Sequence, residues 1–258
     1  MDLAARLRSR EAWMNMNCYP IKFLAVISLF AGSVSSVLLG GIDSEAKVVF
    51  DRYADAIGGV EAFDEIDSAR MKMSMEIPSQ NMVMKMNVLF QAPDRIYMVA
   101  EVPGMGSMRQ GFDGEKGWSI DLMQGSRELK GPELEKLRSD ADFKESVRLE
   151  EKYSSAAVEG LDEEGFITVK AVKISDGNEE TLYFEKVSGL LRKSIGVEGM
   201  GAQGEIPVTT RMTAYEVYGD LLLPALIEMD LMGMEMKMKI ESFEPNVDVD
   251  PSVFKMPE

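Results

Sequence analysis

An α+β chain dominated by one antiparallel sheet follows from three observations. Long runs alternate apolar and polar residues with period two, turn dipeptides punctuate those runs, and only two stretches carry helical spacing. The order is a helix, several strands, a second helix and many further strands. That order places the helices on one side of a single sheet.

The chain begins with an address. Residues Phe23 to Ile42 carry no charge; Lys22 and, further back, Arg6, Arg8 and Arg10 precede them, and Asp43-Ser44-Glu45 follows. Basic flank, apolar run, small residues and then polar chain is the layout of a secretory signal peptide over residues 1–42. Ala31, Gly32, Ser33, Ser35 and Ser36 offer peptidase sites. A run of about 20 residues also spans a bilayer, so an uncleaved N-terminal membrane anchor is the rival expectation. The stretch before Met14 is long for a signal, which makes Met14 or Met16 an alternative start. Either topology places residues 43–258, read as one domain, in the periplasm or otherwise outside the cytoplasm. An uncleaved run would tie it to the inner membrane.

Residues 43–57 show helical spacing, with Val49, Tyr53 and Ala56 or Ile57 on one face. Asp43 or Ser44 is the expected N-cap, and Gly58-Gly59 stops the helix. A short turn with Val60 and Phe63 leads to the first strand, where the period becomes two. Met71, Met73, Met75 and Ile77 alternate with polar residues; after Pro78-Ser79-Gln80-Asn81 come Met82, Met84, Met86, Val88 and Phe90. Pairing Ile77 with Met82 sets Met75 opposite Met84 and Met73 opposite Met86, all on one face. Ile96, Met98, Ala100 and Val102 continue the set, and Asp113-Gly114 turns a hairpin that returns through Trp118. Residues 131–147 are expected to form one helix, with Pro132 in its first turn and Leu134, Leu137 and Ala141 as its apolar spacing. Strands are then expected over 160–173, 181–186, 190–197 and 208–217. A last hairpin pairs Leu231 with Met234, Met229 with Met236 and Ile227 with Met238.

Composition bounds the chemistry. Apolar residues make up 45% and charged residues 28%, the balance of a folded protein. The net charge of −16 argues against nucleic acid, which needs a basic face, and against electrostatic docking on anionic lipid. There is no histidine. That removes the commonest general base, the usual zinc ligand and every Ser-His or Cys-His nucleophile. The single cysteine, Cys18, precedes the apolar run, so residues 43–258 hold no thiol and no disulfide. No catalytic residue, metal ligand or cofactor is nominated, and the expectation is binding without enzymatic activity.

Several segments, taken in order, resemble the LolA/LolB-like superfamily of periplasmic lipoprotein carriers and outer membrane lipoprotein-sorting proteins. They are Gly58-Gly59-Val60-Glu61 after the first helix, and Phe112-Asp113-Gly114 with Gly117-Trp118. Leu182-Tyr183-Phe184, Ser188-Gly189-Leu190-Leu191, Leu222-Leu223-Pro224, Asn246-Val247-Asp248 and Phe254-Lys255-Met256-Pro257 complete the set. The resemblance implies a curved, open half-barrel with helices over its concave side, and an apolar cavity for acyl chains of lipids or lipoproteins. It assigns no gating role to Arg70, Arg95 or Arg109. The chain departs from the family in being more acidic and richer in methionine.

Eighteen of the 21 methionines follow residue 42. They read either as adaptable core filler or as a deformable wall for a flexible ligand. Val and Ile fit strands better, which favours the wall. Its expected residues are Met73, Met75, Met84, Met86, Met98, Met236 and Met238, with Trp118 as core or cavity wall. Thioether capture of Cu(I) is a third reading; such sites usually add histidine or cysteine. The segment GFDGEKGW lacks the Gly-Lys-Ser/Thr ending of a phosphate loop and reads as a hairpin. Asp248-Val249-Asp250 reads as a solvated turn, since a calcium loop needs further ligands. The functional expectation is an exported lipid- or lipoprotein-binding carrier. The alternative is a membrane-anchored structural or sensory envelope module facing a protein partner.

Overall fold

The computed structural model describes residues 41–104, 106–121, 125–199 and 205–257. The apolar run expected to be a signal or anchor lies outside the described residues, except for Gly41 and Ile42. Those two form β1, a short parallel addition to β8.

Helix α1 (Ser44–Ala56) starts where the sequence places it: the Asp43 side chain accepts from the Ala46 N–H. Gly58, at φ 126°, lets the chain leave α1 and turn at once into α2 (Gly59–Asp64). A Cβ there would meet the Asp220 carbonyl oxygen at 2.7 Å, so the close approach needs glycine too.

Strands β2 (Ser68–Ile77), β3 (Met82–Gln91), β4 (Arg95–Val102), β5 (Gly106–Phe112), β6 (Gly117–Asp121) and β7 (Gly125–Glu128) form a meander. The expected single helix over 131–147 is instead α3 (Pro132–Ala141) followed by a 3₁₀ turn, Phe143–Val147. Asp142 divides them: its backbone leaves the helical region and its carboxylate caps the Lys144 N–H. A short α4 (Leu149–Lys152) follows.

The second half contains β8 (Tyr153–Leu161), β9 (Ile167–Lys173), β10 (Glu179–Phe184), β11 (Leu191–Gly199), β12 (Glu205–Tyr218), β13 (Leu221–Leu231) and β14 (Met234–Pro245). The strand expected over 160–173 is therefore the last two residues of β8, a turn and the whole of β9. Asp162 turns the chain between them, its carboxylate accepting from the N–H groups of Glu164 and Phe166.

All fourteen strands join one curved, unclosed sheet in the order β1-β8-β9-β10-β11-β12-β13-β14-β2-β3-β4-β5-β6-β7. Every pairing but β1–β8 is antiparallel. The β14–β2 contact brings the first and last hairpins side by side at the centre. Helices cover the concave face. Phe50 of α1 stacks on Tyr153, Phe143 packs against Phe63, Phe90 and Phe243, and Leu134 and Leu137 of α3 press on Gly117. Among the described residues, no helix is long and apolar enough to cross a membrane.

Candidate functional site

Both hairpin registers match the sequence reading residue for residue: Ile77 faces Met82, Met75 Met84 and Met73 Met86, and Leu231 faces Met234, Met229 Met236 and Ile227 Met238. Directly opposed residues of an antiparallel pair share a face, so the pairings can be followed across strands as rows.

At the base, Ala69, Phe90, Ile96 and Phe112 form a row on β2 to β5, each almost wholly buried under the helical layer. Next along the strands come Phe243, Met71, Val88 and Met98. The third row is Ile240, Met73, Met86, Ala100 and Met108. The fourth is Met212, Ile227, Met238, Met75 and Met84, running over β12, β13, β14, β2 and β3. Met229 and Met236 begin a fifth. All seven methionines expected in the wall thus lie on the helix-bearing face, on β2, β3, β4 and β14. The expected wall left out Met71, Met108, Met212 and Met229, which complete the rows; Met108 enters through the β4–β5 pairing and Met212 through β12–β13.

Burial falls along these rows. Met73 is 9% exposed, whereas Met75, Met84, Met86, Met98, Met236 and Met238 are half-buried. Met71, Met86, Met98, Met212 and Met238 pack against the core cluster, and Met75, Met84 and Met236 continue the same face beyond it. Burial returns at Ile77 and Val102. The result is an apolar strip, partly open to solvent.

Trp118, expected as core or cavity wall, is buried on the face opposite the methionines, in the row Leu89, Tyr97, Gly111 and Trp118. Its neighbour Gly117 faces the helices, so alternation turns Trp118 outward, where the C-terminal 3₁₀ turn (Pro251–Phe254) covers it. Its Nε1–H donates to the Phe254 carbonyl at 2.7 Å, and a Cβ on Gly111 would fall 2.5 Å from its ring. Trp118 and Tyr97 line a cleft of about 360 Å³ there with Val253, Met256 and Pro257. A second cleft, about 660 Å³, lies against Val83, Lys85, Glu101 and the β4–β5 turn. Neither is lined by the seven methionines.

Ionisable groups with displaced titration sit elsewhere on the sheet. Burial pushes Tyr53 up to about 12, opposed by its hydrogen bond to Tyr215. Tyr215 donates to the Leu191 carbonyl at 2.6 Å, and burial raises it as well. Tyr153 is raised by burial and then by Glu180, whose carboxylate accepts its hydroxyl at 2.7 Å. These tyrosines act as buried hydrogen-bond donors at neutral pH. Ser119, on the inner face beyond Met98 and Gln110, keeps a buried hydroxyl with no partner among the described residues. No group of three or more carboxylate, cysteine or histidine side chains placed to hold a metal occurs among the described residues.

No protein-family model matches the chain, and neither does any curated protein. Solved structures do. A LolA superfamily protein from Nitrosomonas europaea aligns with a TM-score of 0.56 at 12% identity, over 81% of this chain and 97% of its own. A DUF1329 family protein from Desulfovibrio piger gives 0.54 at 8% identity, over 81% and 96%. An outer membrane lipoprotein-sorting protein domain from Vibrio parahaemolyticus gives 0.52 at 11%, over 80% and 94%. At such identities the likeness is one of architecture, and the chain has the LolA-like fold.

Proposed function

We propose that this protein is an exported, non-enzymatic carrier that binds lipid or lipoprotein acyl chains along the methionine rows. The observation that supports it is the joining of two distant hairpins into one half-buried apolar strip. Inner-face positions of β14, β2 and β3 there carry only Met, Ile, Val, Ala, Phe and Pro side chains. An alkyl chain laid on it gains roughly 0.8 kcal/mol per buried methylene. Methionine, unbranched and polarizable, adapts to chains of different length. The fold is shared with a domain described as lipoprotein-sorting, which agrees with this reading. Export rests on the apolar run before Asp43.

The test is native mass spectrometry of protein purified from envelope fractions, with uptake of a fluorescent fatty acid. Co-purified lipid and saturable uptake are expected, with uptake abolished in Met75→Asp and Met84→Asp. Absence of both lipid and uptake in the parent protein overturns the reading. Fractionation with N-terminal sequencing tests export: recovery in the cytoplasm counts against it. An uncleaved, membrane-bound form without lipid uptake favours the anchored envelope module.

A further inference from the structure

We propose that the methionine rows of β14, β2 and β3 bind a soft monovalent cation, Cu(I) or its redox-inert surrogate Ag(I), through thioether sulfur alone. Three Met-x-Met-x-Met segments exist in the chain: Met71 to Met75, Met82 to Met86 and Met234 to Met238. The fold sets all three on adjacent strands, in the order β2 flanked by β14 and β3. Their alternation turns nine thioethers to one face.

The fourth row gives the coordination set. Met238 faces Met75 on one side and Met84 faces Met75 on the other, so three sulfurs stand on three neighbouring strands. Strands lie about 4.8 Å apart. Three rotatable bonds per side chain let the outer two sulfurs swing toward the central one. The facing pair Met73 and Met86, one row deeper, offers a fourth ligand. All of the central three are half-buried, so an ion arriving from solvent reaches them.

Residue choice points to sulfur and not only to greasiness. Ile77 and Ile240 occupy the same face at either end, which shows that β-branched residues fit there. Met forfeits β-propensity at every repeat of the motif. The inner positions of β14, β2 and β3 carry no oxygen- or nitrogen-bearing side chain, so the three strands offer Ca²⁺, Mg²⁺ and Zn²⁺ no suitable donors while a thioether set suits Cu(I). A histidine is not needed when one row brings three thioethers together. The net charge of −16 adds a field that draws cations toward the protein.

This inference stands apart from acyl binding, and Met→Leu tests the thioether sulfur itself. Leucine keeps the volume and apolarity of the wall but removes the donor. Cu(I) is titrated anaerobically into the full chain against a chromogenic Cu(I) chelator, with Ag(I) followed by native mass spectrometry and Zn²⁺ as the hard-ion control. The expected result is binding of Cu(I) and Ag(I) but not Zn²⁺. Affinity should fall more than about tenfold in the Met75→Leu/Met84→Leu/Met238→Leu variant, with an unchanged far-UV circular dichroism spectrum. Met232→Leu/Met256→Leu, at exposed positions outside the rows, should bind like the parent. Should the triple variant fold poorly, Met75→Leu alone carries the test, since it removes the central ligand. Equal Cu(I) affinity in parent and row variants, or equal loss in the exposed-site control, overturns the proposal.

Discussion

The base and the outer reach of the inner face lie on the same strands, yet are built from different residues. At the base, Ala69, Phe90, Ile96 and Phe112 sit beneath Phe63, Phe143 and α3, and aromatic rings interlock at centroid distances near 6 Å. Three rows further on, the same strands present Met75 and Met84 to partial solvent. Rigid rings suit a surface whose partner is another part of the chain, because both sides are specified by sequence. Flexible thioethers suit a surface whose partner varies. On the proposed function, the change of residue type along β2 and β3 is where self-packing gives way to the binding surface.

The largest effect that would break this contrast is at the base. Phe112→Ala removes a fully buried ring and should cost about 3–5 kcal/mol in urea unfolding, against a much smaller loss for Met84→Ala. Equal losses would mean that the outer rows are ordinary core. Next comes the outward face: Trp118→Phe strips the donor from the buried Phe254 carbonyl and should cost about 1–3 kcal/mol, while leaving acyl uptake unchanged. A loss of uptake would bring Trp118 back into the binding wall. Met84→Leu is expected to shift stability by less than about 1.5 kcal/mol and to keep acyl uptake; a larger loss would show that methionine there is locked into a specific packing arrangement.

The smallest effect concerns the helical cover itself. Glu145 lies half-buried in the 3₁₀ turn and its carboxyl is held above the ordinary range. Burial is the main cause, with Asp142, Asp140 and Glu180 adding to it and Lys152 opposing. The folded chain binds this proton more tightly than the unfolded one, so stability falls as pH rises past the unfolded value and the loss is complete above the folded one. Below the unfolded value the penalty vanishes. Glu145→Gln should therefore melt at a higher temperature than the parent near neutral pH and at the same temperature in acid. Thermal melts across that window check both the sign and the convergence.

Local features were legible in the sequence, and long-range ones were not. Hairpin registers could be read because period-two alternation and a short turn leave one pairing that keeps every apolar residue on one side. Asp43 as a cap followed from its position before the first helical residue. The division of the helical stretch at Asp142 was missed because its apolar spacing continues through a residue whose side chain serves the next turn better than the helix. Trp118 was read as core or cavity wall; its facing depends on Gly111 and Gly117, which make room on either side. The β14–β2 pairing has no local signature, so the wall expected from both hairpins acquired its strand order and register only in the fold.

That pairing also sets an order of events. The hydrogen bond from the Asp67 N–H to the Asn246 side chain joins residues 179 positions apart, at the seam where β2 meets β14. A chain emerging from its N-terminus makes β2 and β3 early, then must wait for nearly its whole length before the strand beside them arrives. Contacts so distant in sequence make for slow folding. The centre of the sheet is thus its last part to close. For a polypeptide threaded across a membrane before it folds, such a seam keeps the domain from consolidating until its end has passed through.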